Sequence, residues 1–539
     1  MDRILARIIL AAAFCGLVSS CGDKPVEPET PEAAPVLVSS DPASGAVDIP
    51  LKTAAIVLTY DQNVKCPTSA QEGITLSGGA TVTKVTAYGA AVTVSISGLA
   101  YETNYTLSVP AGAVQGYKAN QPAAAAVSVS FTTEKNPDTG TDERESEVAW
   151  NLAAKLGLGW NMGNHMDALY NWHYVDGNGF DWYNYPSETV WGNDPCTQAT
   201  FTKVKQAGFS SVRIPVTWLN YIGPAPDYKI DETWMNRVAE IVGYAENAGL
   251  NVIINMHHDE NHGDDHWQDI KTAAKDAARN TEIKNEIRAT WTQIANKFRD
   301  KGDWLIFESF NEINDGGWGW SEDFRKDPTV QCNILNEWNQ VFVDAVRATG
   351  GNNATRWLGV PTYAANPAYE IYAKMPADPA GKLMLSVHFY DPSDYTIGEK
   401  QYSDWGHTGA VGKKVSGGDE DHVRETFNNL TRKYVNRGIP VYIGEFGCSM
   451  RAQSDTRAWS FYLYYMEYVA KAAKTYGMPA FLWDNGTKGT GQEQHGYINH
   501  GDGSYIGNSK AVIDVIVKAM TDNSAAYTLE SVYNRAPKF

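Results

Sequence analysis

The run Trp304-Leu305-Ile306-Phe307-Glu308-Ser309-Phe310-Asn311-Glu312 sets four apolar residues just ahead of an amide and a carboxylate. A short apolar run reads as a buried strand, and one that closes on polar residues reads as a parallel strand opening into a site. Similar runs recur at 157–160, 211–215, 252–256, 357–360, 383–387, 441–443 and 480–483. Segments of helical period lie between them. Trp234, Val238, Ile241, Val242 and Ala245 form one apolar face that stops at Gly249, and Ile283, Ile287, Trp291, Ile294 and Phe298 form another. Eight such strands from residue 148 onward predict an α/β fold, a parallel (β/α)8 TIM barrel with long loops. A doubly wound open sheet is the competing reading. It lacks the Gly-rich phosphate loop expected after an early strand.

Barrel enzymes carry reactive groups at the C-terminal ends of their strands, where the loops form a mouth. Here strand two ends with Arg213, strand three with His257-His258-Asp259 and strand four with Asn311-Glu312. Strand six ends with His388 and Tyr390, strand seven with Glu445, and strand eight with Trp483-Asp484-Asn485. Two carboxylates on different strands suit hydrolysis of a glycosidic bond. The leaving oxygen needs a proton, and the anomeric carbon, which becomes positive, needs an anion. A separation of about 5–5.5 Å gives retention and ~6.5–9.5 Å gives inversion, and the spacing in the chain does not choose between them.

The composition narrows the partners. The net charge of −18 argues against nucleic acid, which needs clustered Lys and Arg. The 17 Trp and 29 Tyr are a large aromatic stock, suited to big cores or to stacking against the flat faces of sugar rings. Histidines and acids between His257 and His266 raise a metal hypothesis, with His258 and His262 four apart as helix-borne ligands would be. Against it, alternation along a strand sends the adjacent His257 and His258 to opposite faces. No metal and no cofactor is expected.

Ahead of the barrel, residues 34–134 read as an all-β module, with β-rich runs at 55–60, 81–88, 92–97, 104–109 and 127–132. Ser40-Asp41-Pro42-Ala43-Ser44-Gly45, Tyr105-Thr106-Leu107 and Phe131-Thr132-Thr133 resemble a bacterial Ig-like sandwich, acting here as a spacer rather than a glycan binder. Residues 135–147 read as a charged linker. At the start, Arg3 and Arg7 precede the apolar run from Ile8 to Val18, too short to span a bilayer and typical of a secretory signal at 1–20. Val18-Ser19-Ser20-Cys21 resembles a bacterial lipobox, with Cys21 as the lipidated residue, and the acidic, Pro-rich stretch to residue 33 reads as a flexible tether. These readings place a monomer on the cell surface as an outer-membrane lipoprotein. Cys66, Cys196, Cys332 and Cys448 are scattered, which disfavours a disulfide framework and leaves one bridge open.

Gly159-Trp160-Asn161-Met162-Gly163-Asn164, Arg213-Ile214-Pro215-Val216-Thr217-Trp218, Asn311-Glu312, His388-Phe389-Tyr390 and Ile443-Gly444-Glu445-Phe446-Gly447 occur in an order that resembles glycoside hydrolase family 5, in its endoglucanase and xyloglucanase subfamily. The resemblance implies a retaining endo-β-1,4-glucanase with Glu312 as acid/base and Glu445 as nucleophile. It also implies that Asn164, Arg213, His257, His258, Asn311, His388, Tyr390 and Trp483 surround the sugar. Arg213 would keep Glu445 ionised, Tyr390 would donate to it, Asn311 would bind the sugar 2-hydroxyl and Trp483 would form the floor. The Pro that commonly follows Asn-Glu is Ile313 here, which leaves the local loop shape open. An endo-β-1,4-mannanase shares the same set, and a non-catalytic glycan-capture lipoprotein is the rival outside enzymes. Preferred polysaccharides are xyloglucan, mixed-linkage glucan or cellulose.

Overall fold

A computed structural model describes residues 33–51, 53–118, 120–134, 140–263, 265–398 and 402–539. The signal segment, Cys21 and the tether to residue 32 lie outside them. Contacts divide the chain into two units, Met1–Pro137 and Asp138–Phe539.

The first unit is a sandwich of two four-stranded sheets. One orders Leu37–Asp41, Ala55–Tyr60, Ala91–Ser97 and Thr81–Tyr88, and the other orders Ala46–Ile49, Val127–Thr133, Asn104–Val109 and Thr75–Leu76. Alternation makes the core: Ile56, Leu58 and Tyr60 point inward from one strand, and Tyr105, Leu107 and Val109 from another. Tyr105 stacks on Phe131 at 5.6 Å between ring centres.

The second unit is a closed barrel of eight parallel strands, β1 (Leu158–Met162), β2 (Ser211–Ile214), β3 (Asn251–Ile254), β4 (Leu305–Glu308), β5 (Leu358–Pro361), β6 (Leu383–Phe389), β7 (Val441–Phe446) and β8 (Ala480–Asp484). β1 pairs with both β2 and β8, so the ring has no edge. Nearly every strand residue is buried because one side faces the barrel interior and the other faces helices, which explains the continuous apolar runs. Ile253, Ile306, Met384, Tyr442 and Phe481 cluster with Leu152 and Leu156 of the preceding helix Val148–Leu156. Val252, Ile254, Leu305 and Phe307 join the helices outside. Gly159 makes room for this plug, since a Cβ there would stand 2.0 Å from the Phe481 ring.

The helix Glu232–Asn247 buries Trp234, Val238, Ile241, Val242 and Ala245, the face read from sequence, and Asp231 caps it by accepting from the Trp234 N–H. Part of the segment read as a linker is held by the barrel unit. The N–H of Thr141 donates to Arg432, those of Glu145 and Ser146 donate to Asn436, and Arg144 lies 3.9 Å over the Trp150 ring. The four Cys among the described residues are free thiols.

Candidate active site

The site starts with a cation placed inside the barrel. Arg213 on β2 is fully buried, and a buried charge requires partners. Its Nε donates to Glu308 at 2.7 Å, one terminal nitrogen donates to Asn161 at 3.0 Å and to Glu445 at 2.8 Å, and the other donates to Asn311 at 2.8 Å. Glu308, the last residue of β4, also accepts from Ser386 and Tyr442 at 2.7 Å each and from Asn255 at 3.1 Å. Burial works against its charge, but Arg213, His388 and these donors outweigh it and hold Glu308 below the usual carboxylate range. Burial likewise opposes the Arg213 cation, and Glu308 and Glu445 more than compensate.

Glu445 sits where β7 is irregular. Its register slips against β6 between Val387 and His388 and against β8 between Ile443 and Phe446. Such a bulge re-aims a side chain. One Glu445 oxygen accepts from Arg213, and the other accepts from the Tyr390 hydroxyl at 2.9 Å. Glu312 lies four residues beyond β4, with Oε1 2.7 Å from His388 Nδ1. That Nδ1 is also 3.7 Å from Glu445. One oxygen of each carboxylate and one His388 nitrogen all fall within 4.8 Å of one another.

The two carboxyls differ in their surroundings. Burial first, and the Glu260 charge second, push Glu312 up to about 7. Burial raises Glu445 too, while His388 and Arg213 pull the other way. With a guanidinium and a phenol on its oxygens, Glu445 is the one that ionises first. Burial lowers His388 to about 4.

Aromatic groups complete the groove. Trp483, half-buried at the end of β8, lies parallel to His257 with centres 5.9 Å apart and planes 5° apart. Gly163 permits this position, since a Cβ there would stand 2.6 Å from the indole. Asn164 beside it takes a left-handed φ of 53°, which Asn tolerates. Its N–H donates to Asp167 and its carbonyl accepts from Asn193. Trp318 and Trp320 stand exposed on the loop after β4.

His257 and His258 depart from the strand rule. β3 ends at Ile254, so the pair lies on irregular chain where alternation does not apply, and their rings meet edge to face at 4.5 Å. The chain from His257 to Gly263 is loop rather than helix, so the four-residue spacing of His258 and His262 carries no ligand geometry. Asp167, His257 and His258 do bring three donors within 4.8 Å, the grouping that would hold a metal ion. Asp167 already accepts from the N–H groups of Asn164 and His165, and His257 Nδ1 is engaged by Asn255. Burial disfavours a charge on His258, but Glu260 at 3.5 Å and Asp167 at 3.9 Å raise it to about 9.

The structure thus gathers Arg213, Asn311, Glu312, His388, Tyr390 and Glu445 into one contact network, with His257, His258, Trp483 and Asn164 around it. Sequence reading missed the supports: Asn161, Asn255, Glu308, Ser386 and Tyr442. A charged Glu308 at the end of an otherwise apolar strand was the available signal. Asp484, read only as part of the polar end of strand eight, is a further support: its carboxylate accepts from the Trp160 indole and from the N–H groups of Gly486, Tyr497 and Ile498. Ile313 settles the loop question. It is buried, its carbonyl accepts from Ala364, and Asn314 ties the turn by accepting from Gly316 and Trp318. A proton-bearing carboxyl and an ionised one, this close and beside an aromatic floor, are the equipment for acid-assisted displacement at a sugar carbon.

The family model described as cellulase, glycosyl hydrolase family 5, matches residues 174–489, more than half of the chain. The chain belongs to glycoside hydrolase family 5. Family 5 structures similar to it include a broad-specificity endoglucanase from Bacteroides salanitronis, at 51% identity and a TM-score of 0.65 over 70% of this chain and 97% of that one. A Bacteroidetes-affiliated cellulase linked with a polysaccharide utilization locus is 41% identical, with a TM-score of 0.68 over 73% and 99% of the two chains. Endoglucanase A of Paenibacillus barcinonensis is 34% identical over 392 residues, covering 70% of this chain and 92% of its own. A bacterial Ig-like domain model matches residues 31–133 of this family 5 glycoside hydrolase.

Proposed function

We propose that this family 5 enzyme cuts internal β-1,4 bonds of glucan chains with retention of configuration, using Glu445 as nucleophile and Glu312 as acid/base. The observation that carries the reading is the approach of Glu312 and Glu445 oxygens within 4.8 Å, on the short, retaining side of the two spacings. Glu445 attacks the anomeric carbon, the bond to the leaving sugar breaks, and the Glu312 proton passes to the leaving oxygen. Water then attacks the glycosyl ester, Glu312 takes its proton, and Glu445 leaves as a carboxylate. Arg213 and Tyr390 hold Glu445 ionised and aimed. The Asn311 carbonyl is used by Arg213, which leaves its NH2 to meet the sugar 2-hydroxyl. Trp483 is the floor of the cleaved sugar, with His257, His258, His388 and Asn164 along its edges.

The similar proteins are an endoglucanase and a broad-specificity endoglucanase, which supports action on more than one β-1,4-glucan; we place xyloglucan, mixed-linkage glucan and cellulose in that range. Parallel product profiles on those polymers and on mannan test this, and turnover confined to mannan would overturn it. Glu445→Gln should abolish turnover while binding persists. Proton NMR of the first product should show the β-anomer, and an α-anomer would refute retention.

The Arg3 and Arg7 start, the apolar run and the lipobox-like Cys21 support export and lipid anchoring at the outer membrane. Labelled palmitate should enter the wild-type protein and not Cys21→Ala; equal labelling refutes the anchor.

A further inference from the structure

Over β1 and β2, the loops at 163–197 and 215–231, with Trp234 at the start of the next helix, line an open cavity of about 450 Å³. The rings of Tyr170, Tyr174, Trp182, Tyr221 and Trp234 line it, together with the carboxylates Asp176 and Glu188. Neither Glu312 nor Glu445 nor any of the groups that hold them reaches it. Its size is that of a small-ligand pocket.

The rings are fixed in place. Tyr170 and Tyr174 stack at 5.5 Å with planes 11° apart, and Tyr221 and Trp234 stack at 4.8 Å with planes 19° apart. The loop that carries three of them is closed by bridges between Leu169 and Pro186 and between Val175 and Asp181. One Asp176 oxygen accepts from the N–H groups of Asn178 and Phe180, and the other accepts from the Trp182 indole at 3.2 Å. Glu188 is pinned by His165 at 2.7 Å and by Arg237 at 2.6 Å. Despite this ordering, Trp172 and Tyr174 are each 47% exposed and Phe180 is 43% exposed. Three large rings held in water on one stretch of nine residues form a contact surface.

The chemistry selects the occupant. Flat ring faces match the apolar faces of sugars, and fixed carboxylates accept from hydroxyls. Asp176, on a chain of net charge −18, disfavours anionic ligands, while the charge of Glu188 is offset by Arg237. A neutral, hydroxyl-rich chain fits. We propose that this cavity is a second glycan-binding site that holds a stretch of β-linked glucan away from the bond being cut. The proposal rests on the glucanase reading above.

The test uses the full chain. In Tyr174→Ala, KM on soluble xyloglucan or barley-type glucan should rise about fivefold, while kcat and turnover of a short aryl cellobioside stay within twofold. Tyr174→Trp, which keeps a flat ring, should restore KM, which a merely structural defect would not allow. In the Glu445→Gln background, retardation of the protein in a glucan-containing native gel should weaken when Tyr174→Ala is added. Unchanged KM and retardation would overturn the proposal. So would an equal loss on the short substrate, or a concentration-dependent dimer that disappears in Tyr174→Ala with KM intact. Failure of the wild type to turn over the aryl cellobioside would instead strike the catalytic reading, and gel retardation would still report on the cavity.

Discussion

Glu308 grips Nε of Arg213 at 2.7 Å inside the barrel, and both side chains are completely shielded from water. This pair is the foundation of the site. It spends one side of the guanidinium on the protein and leaves the other to orient Glu445 and Asn311.

Glu308→Gln should therefore damage chemistry and stability together. Removing one partner of a buried ion pair costs about 3–5 kcal/mol, and a glutamine that still accepts a hydrogen bond should bring this to the low end. We expect a lower unfolding temperature and a kcat reduced at least about tenfold, with KM nearly unchanged. A variant with wild-type kcat and melting would show that Glu445 is oriented without this support.

The pH profile should have its alkaline limb near pH 7. Glu312 must carry a proton to act as acid, and burial together with the Glu260 charge places it at about 7. Activity should fall as pH rises through that value. Glu260→Gln removes the second of those causes, so its limb should move to lower pH. A limb that stays put would mean that Glu260 does not govern the acid.

Stability should follow the same group. Glu312 has a folded pKa above its ordinary value of 4.5. Its contribution is therefore fully present below pH 4.5 and is lost as pH rises through about 7. Above that, the folded protein holds a buried charge that the unfolded chain would solvate. Glu312→Gln should then be the more stable protein at pH 8, by up to about 3 kcal/mol, with the advantage shrinking towards pH 5. Thermal unfolding at the two pH values checks this, and an equal difference at both would contradict it.

Gly163→Ala probes the floor of the groove. A Cβ there collides with the Trp483 indole at 2.6 Å, so the ring must shift from its place against His257. We expect kcat/KM to drop about tenfold on glucans with the fold retained. Full activity would show that the indole position is not used.

The barrel was legible in the chain because its strands are buried on both sides, which writes each as an uninterrupted apolar run such as 304–307 or 441–443. The Ig-like strands were legible from alternation. The site residues that close a strand or follow it, among them Arg213, Glu312, His388 and Glu445, could be picked out because polar groups stand out after apolar runs. The supports could not. Ser386, Tyr442 and Asn255 look like ordinary strand and loop residues until the ring closes and sets them around Glu308. The behaviour of His257 and His258 was misjudged for a local reason, since the strand stopped two residues before the end of its apolar run 252–256.

By itself, the order of residues determined that eight buried strands alternate with helices and that two acids stand at the ends of the fourth and seventh. Those facts are local, written in hydrophobic period and in the residue types that interrupt it. Only the tertiary structure decided which acid keeps its proton, how near the two come, and that a second ring-lined cavity exists over the first two strands. Spacing, burial and Coulomb energy depend on distances between groups far apart in the chain, and those distances exist only once the barrel is closed.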